Sequence, residues 1–384
     1  MRNTKVLRIR CADWSHSELF AFTTGLFVRT DAIKLKHKLS DSYKSDVFLL
    51  NSARDGIFKI LQQLKIDNPK KNKVLIPDFI CDSVPEIVNK VGLNVIKVKV
   101  ARDLNICPLE LQNNIDELSL AIIMPHMYGA IADIESIIRI SKKNGIYLID
   151  DAAQVTGVSR DNKLLGTFGD FGVLSFAQGK TVVTGVRGSG GALINSCKYP
   201  LRINETHPKG WGRLTNIWHF WAVYHKKGHW AIFEYYRERI IKLFSSSECN
   251  HYLSDVSISH AESAIALKQL EALPKLISLT ESKAVRCYEL AKKLNTISIP
   301  QWDEGPCFLT RLIIQTSIIS PEKLKCLLSN YSIESKFVYS QGSRVYDGSN
   351  ISGLLELPWL GMNFEDEIYL FNKLSQIEKS TNLY

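Results

Sequence analysis

The chain has 384 residues, 45% of them hydrophobic and 23% charged, with a formal net charge of +9. That length and apolar content argue against a disordered protein and leave room for a large core, in two domains or in one large domain with an appendage. The positive balance favours anionic partners, whether phosphorylated small molecules, nucleic acid or acidic lipid, without choosing among them.

The first apolar stretch in chain order is Leu19–Val28, interrupted by Thr23, Thr24 and Gly25. It is too short to span a bilayer and has no small-residue cleavage site, so it is expected to be folded structure in a soluble protein. Short β-type runs follow at Val74–Ile76, Val95–Val100, Ala121–Met124, Tyr147–Ile149, Val173–Phe176 and Ala192–Ile194. Between them, Ser83–Lys90 and Ile134–Lys143 have helical spacing. The alternation predicts an α/β domain on a mostly parallel sheet. From about Ser259 the pattern changes to a long helix through Leu273, β-like runs near Phe308–Ile314 and Ile333–Val338, and a last helix near Glu365–Ile377. That order predicts a smaller C-terminal α+β domain, with the division falling between residues 1–250 and 251–384. Eight cysteines stand without a CxxC pair or a metal-ligand spacing, a pattern that points to free thiols in a reducing cytosol and away from zinc.

The stretch YLIDDAAQ (147–154) puts two carboxylates, Asp150 and Asp151, at the end of an apolar run. Open parallel sheets bind ligands at the carboxyl ends of their strands, where helix N-termini converge. A carboxylate at that lip is costly unless a cation pairs with it. A surface helix cap fits either aspartate equally well on this stretch alone. Downstream, LSFAQGK (174–180) brings Lys180 to the end of another apolar strand, where its amine can face the same pocket. A solvated surface lysine is the plain alternative there.

Six stretches carry a family resemblance: NSARDGIFKILQQL (51–64), VLIPDFICDSV (74–84), MPHMYGAIADI (124–134), LIDDAAQVTG (148–157), GTFGDFGVLSFAQGK (166–180) and ISHAESAIALKQLEAL (258–273). In this order and spacing the chain resembles, from about Gly25 to Leu370, the DegT/DnrJ/EryC1/StrS family of sugar aminotransferases within the aspartate-aminotransferase fold. The resemblance implies a fold-type I, pyridoxal 5'-phosphate-dependent transferase, in which residues 1–250 hold the cofactor. It assigns Lys180 to the lysine that forms a Schiff base with the cofactor, and Asp151 to the acid that keeps the pyridine nitrogen protonated. Gln154 matches the position against the ring's phenolic oxygen and Ser175 a phosphate-contacting serine. Ser52, Ala53 and Arg54 match the loop that opens a helix under the phosphate. Some relatives have histidine in place of the lysine and dehydrate sugars, so Lys180 points to transamination.

The implied partners are a nucleotide-linked keto sugar, an amino donor such as glutamate and a second copy of the chain, in the cytoplasm, with no nucleic acid. Three departures from the family pattern stand out. LSDVSIS (253–259) puts Asp255 where an asparagine of the partner subunit usually meets the phosphate, with Asn250 as a substitute. Cys81 stands where an aromatic is common. FVYSQGSR (337–344) lacks the family's Tyr-Pro and His signature.

The segment 198–245 is the least family-like, with Trp211, Trp218, Trp221 and Trp230 beside His207, His219, His225 and His229. It lacks clean metal spacing. An amphipathic helical pair, with AIFEYYRERIIKLF (231–244) as its clearest helix, is favoured over a basic aromatic surface for anionic membranes. GVRGSGGAL (185–193) reads as a turn into a strand, and His126 as a structural histidine near the pocket. Two functions remain: a homodimeric transaminase of amino-sugar or surface-polysaccharide biosynthesis, and a noncatalytic relative kept as a binding or regulatory module.

Overall fold

The computed structural model describes residues 7, 9, 14–185, 190–214, 217, 256–316, 318–338, 343–344, 350–351 and 353–381. Asn250, Asp255, Trp218, Trp221, Trp230, His219, His225, His229 and the expected helix at 231–244 lie outside the described residues, as do 186–189 of the glycine-rich stretch.

The chain opens with α1 (His16–Gly25), α2 (Asp31–Tyr43), β1 (Asp46–Leu50) and α3 (Ala53–Asp67). It continues through β2 (Lys73–Pro77), α4 (Ser83–Val91), β3 (Asn94–Val98), α5 (Pro108–Asn113), β4 (Ser119–Pro125) and α6 (Ile134–Asn144). Next come β5 (Tyr147–Asp151), a small hairpin of β6 (Ser159–Arg160) and β7 (Lys163–Leu164), β8 (Phe171–Ser175) and β9 (Gly191–Asn195). After the 32-residue α7 (His260–Ala291), the last part holds β10 (Ile297–Ser298), β11 (Leu312–Thr316), α8 (Pro321–Asn330), β12 (Lys336–Phe337), β13 (Ser343–Arg344), β14 (Asn350–Ile351), β15 (Leu355–Leu357) and α9 (Phe364–Thr381).

Seven strands form one sheet in the order β1-β9-β8-β5-β4-β2-β3. The five strands from β8 to β3 are parallel, and β9 and β1 continue the sheet antiparallel. β4, SLAIIMP, is buried at all seven positions, as expected of a strand with helices on both faces and no alternation to display. One apolar cluster holds α2 with one face of the sheet, and another holds α3 and α4 against the other. The strand β1 has no counterpart among the runs expected from sequence. DVFLL sets four apolar residues after an exposed aspartate, between polar helices, and only its pairing with β9 distinguishes it from a helix edge.

The smaller unit is a four-stranded antiparallel sheet in the order β10-β11-β15-β12, covered by α8 and α9. The run expected at Ile333–Val338 narrows to the two-residue β12, because Ile333 instead bridges to Leu7 near the start of the chain. α7 packs along α1 and α2 and reaches α9, joining the two sheets. Among the described residues no helix is long and apolar enough to cross a membrane.

Gly172 on β8 sets the tightest approach near the sheet's centre: a Cβ built there would lie 1.8 Å from the Gly166 carbonyl oxygen. Backbone cannot move aside as a flexible side chain can. Gly172→Ala is expected to cost about 3 kcal/mol or more, read as a lower denaturant midpoint. An unchanged midpoint would show that the 166–172 turn has room the structure does not reveal.

Candidate active site

The carboxyl ends of β5 and β8 open on a cavity of about 600 Å³, within the range of small-molecule sites. All seven residues singled out from sequence, Ser52, Ala53, Arg54, Asp151, Gln154, Ser175 and Lys180, line it.

Strand alternation separates the two aspartates. Asp150 is fully buried, and its Oδ2 accepts the amides of Gly166 at 2.8 Å and Phe168 at 2.9 Å. Its Oδ1 lies 2.9 Å from His126 Nε2. His126 Nδ1 accepts the Ala132 amide at 3.2 Å, so the ring proton belongs on Nε2 and is donated to Asp150. His126 is thus a structural histidine. Neither aspartate caps a helix, which removes that reading of YLIDDAAQ.

Asp151 turns the other way, into the cavity. Its Oδ1 accepts the Ala153 amide at 3.0 Å, and its Oδ2 has no hydrogen-bond partner among the described residues. Burial pushes this carboxyl above its ordinary range, while the Ala153 amide and the Lys180 ammonium pull it back. A buried carboxylate with one open oxygen is a site for a cationic N–H. Gln154, nine-tenths buried beside it, also lacks a hydrogen-bond partner among the described residues.

Lys180 sits in the turn after β8, half-buried. Burial lowers its amine to about 8; the Arg311 guanidinium acts in the same direction and Asp151 opposes. The segment that follows is tied down at three points. Thr181 Oγ1 donates to the Thr156 carbonyl at 2.9 Å, the Trp14 indole donates to the Val183 carbonyl at 3.0 Å, and the Thr184 amide donates to the Phe176 carbonyl at 2.9 Å.

Ser52 is the N-cap of α3, its Oγ accepting the Asp55 amide. The helix start can come this close to β9 because residue 191 is glycine: a Cβ there would meet the Ala53 amide nitrogen at 2.6 Å. Ser52, Ala53 and Arg54 therefore present a helix N-terminus to the cavity, the natural seat of a phosphate. Ser175, at the end of β8, stands on the same wall.

The smaller sheet closes the other side with Arg311, Lys336, Phe337 and Glu356. Sequence reasoning missed this wall. Its one signal was a charged residue, Arg311, opening the apolar run of β11, the mirror of Asp151 ending β5. Cys81 lines the cavity where the resemblance puts an aromatic, and the aromatic side chains present are Tyr128 and Phe337. Among the described residues no cluster of histidine, cysteine or carboxylate could hold a metal.

The arrangement thus offers a nucleophilic amine, an open buried carboxylate, an unpartnered amide and a phosphate seat on one cavity. Residues 38–203 match the model of the DegT/DnrJ/EryC1/StrS aminotransferase family. This part of the chain belongs to that family. A curated relative, GDP-perosamine synthase of Vibrio cholerae, is 30% identical over 126 residues, 33% of this chain and 34% of that protein. The chain thus aligns with about a third of that relative's length. The fold likeness is wider. PseC of Helicobacter pylori, an aminotransferase involved in the biosynthesis of pseudoaminic acid, superposes with a TM-score of 0.73, 15% identity, and 98% and 100% of the two chains covered. The sugar aminotransferase Spr1654 of Streptococcus pneumoniae, described as putative and solved in its PLP form, gives 0.72 at 15% identity over 98% and 100%. The fold of these two proteins therefore extends beyond the matched residues to nearly the whole chain.

Asp150→Asn exchanges a carboxylate that accepts three hydrogen bonds for an amide that must turn an N–H toward one of the donors. The burial makes it costly, on the order of 2–4 kcal/mol. Chemical denaturation of Asp150→Asn beside Asp151→Asn would check this, with Asp150→Asn expected to be the less stable.

Proposed function

We propose that the protein is a pyridoxal 5'-phosphate-dependent aminotransferase that moves an amino group from glutamate to a nucleotide-linked keto sugar, in amino-sugar or surface-polysaccharide biosynthesis. The observation that carries the reading is the meeting of Lys180, Asp151 and the unpartnered Gln154 on one cavity. The residues fit the cofactor. Ser52–Arg54 and Ser175 would hold its phosphate, Asp151 its ring nitrogen, Gln154 its phenolic oxygen and Lys180 its carbonyl carbon. Bound there, pyridoxal phosphate supplies an electron sink for the substrate carbon.

The chain's own groups do the rest. Asp151 would hold a proton on the ring nitrogen, its second carboxyl oxygen being open toward the cavity. The Lys180 amine would take the proton from the amine-bearing carbon and return it on the other side of the transfer. An amine titrating near 8 is a workable base at neutral pH. The wall of Arg311, Lys336 and Phe337 leaves room for a substrate beside the cofactor.

The names of the relatives support the sugar class, and the six described cysteines, all free thiols, accord with a cytoplasmic setting. The membrane-docking alternative for 198–245 concerns residues mostly outside those described. The noncatalytic alternative drew on Asp255, likewise outside them, and is not carried further.

Lys180→Ala is expected to abolish both turnover and borohydride-trapped cofactor. Asp151→Asn is expected to retain cofactor absorbance while turnover falls by about 10² or more. A Lys180→Ala protein that still transaminates a keto sugar nucleotide would overturn the mechanism. The reading also includes a homodimer. Phe20 and Phe27 on and beside α1 are 71% and 72% exposed, and Phe27 stacks edge-to-face on the half-exposed Trp211 at 5.5 Å, an apolar surface suited to a second copy. Sedimentation of the holoprotein at micromolar concentration is expected to give twice the mass of 43.5 kDa.

A further inference from the structure

Arg311 reaches the cavity from the smaller sheet, one residue before β11. Its Nη1 donates to Glu356 Oε2 at 2.8 Å, and Glu356, 2% exposed, also pairs with Lys336 at 3.2 Å. The other edge of the guanidinium lies against the turn of the catalytic lysine: a Cβ at Gly179 would sit 2.4 Å from Nη2. Gly179 has φ +80°, so the turn excludes a side chain for two reasons, backbone conformation and the guanidinium above it. The Arg311 Cζ lies 5.9 Å from the Tyr128 ring centroid.

We infer that Arg311, seated on Gly179 and held by Glu356, is a positioning residue that fixes the Lys180 turn against the smaller sheet and sets a second positive charge beside the Lys180 amine. The inference rests on the proposed role of Lys180. The groups around that amine are Arg311 from the small sheet, Asp151 from β5, Cys81 from the loop after β2 and Arg54 from α3. After burial, Arg311 is the strongest influence lowering the proton affinity of Lys180, with Asp151 opposing it. Lys336 shares Glu356 with Arg311 but is not among the groups acting on Lys180, so it separates loss of the Glu356 pairing from loss of the charge beside the amine.

The test is the rate at which the full-length protein captures added pyridoxal phosphate at Lys180, trapped with borohydride and located by peptide mass, as a function of pH. The wild-type protein is expected to show a midpoint near 8. Arg311→Met is expected to raise the midpoint by about one unit, so that capture at pH 7 falls about tenfold. Gly179→Ala, which forces the guanidinium away, is expected to move it the same way. Arg311→Lys is expected to stay near wild type, and Lys336→Met to leave the midpoint in place.

An unmoved midpoint in Arg311→Met would overturn the inference, as would an Arg311→Met protein changed only in its KM for the amino donor, which would make Arg311 a carboxylate binder. A shift in Lys336→Met equal to that in Arg311→Met would assign the effect to Glu356 and also overturn it. Absence of capture at Lys180 at any pH in the wild-type protein would instead sink the proposed function, and this inference with it.

Discussion

The site depends on how Asp150 is held. Two adjacent carboxylates leave the end of β5 on opposite sides, and the buried one receives two backbone amides and the His126 ring. Those three donors stabilise a charge that would otherwise be expelled from the core. They also lock the register of the strand end. With Asp150 so placed, Asp151 has no choice but the cavity, and the turn at 166–168 is drawn under β8, the strand that delivers Ser175 and, beyond it, Lys180. A buried, fully bonded carboxylate and a cavity-facing one are thus consecutive residues with the same side chain, told apart by strand alternation.

Much of the first wall was legible in the sequence because it is local. The apolar runs of β2, β4, β5, β8 and β9 are fixed by burial on both faces, and ligand residues sit at their ends by the geometry of any open parallel sheet. That geometry allowed Asp151 and Lys180 to face one pocket, whereas Gln154, Ser175 and Ser52–Arg54 were placed beside them by the family resemblance. The second wall was not legible. Arg311 and Glu356 stand 45 residues apart, and their meeting depends on the antiparallel register of β11 with β15, which no local pattern encodes. The same holds for β1 and for the Leu7–Ile333 bridge, both pairings of segments remote in sequence. His126 and Asp150 form an intermediate case: their roles needed only the knowledge of which face each occupied.

The two walls have different electrostatic tasks. On the parallel sheet, Asp151 leaves one carboxyl oxygen without a hydrogen bond among the described residues, open to a ligand. On the antiparallel sheet, Glu356 is saturated by Arg311 and Lys336. A saturated pair contributes little net attraction for a substrate, but it holds a guanidinium in one orientation, and orientation is what the Lys180 turn requires.

The anchorage of that turn reaches far from the cavity. Trp14, fully buried and bonded to the Val183 carbonyl, precedes α1, whose inner face joins Val183, Ile265 and Ala261 in one small apolar cluster. That cluster is separate from the large cores on the two faces of the main sheet. Its size makes it a cooperative unit of its own, able to open at a lower free energy than the sheet. On gentle heating, the amino-terminal helix and the lysine turn would therefore come loose together while the sheet stays protected from hydrogen exchange, and the protein would lose its grip on a carbonyl ligand well before it lost its fold.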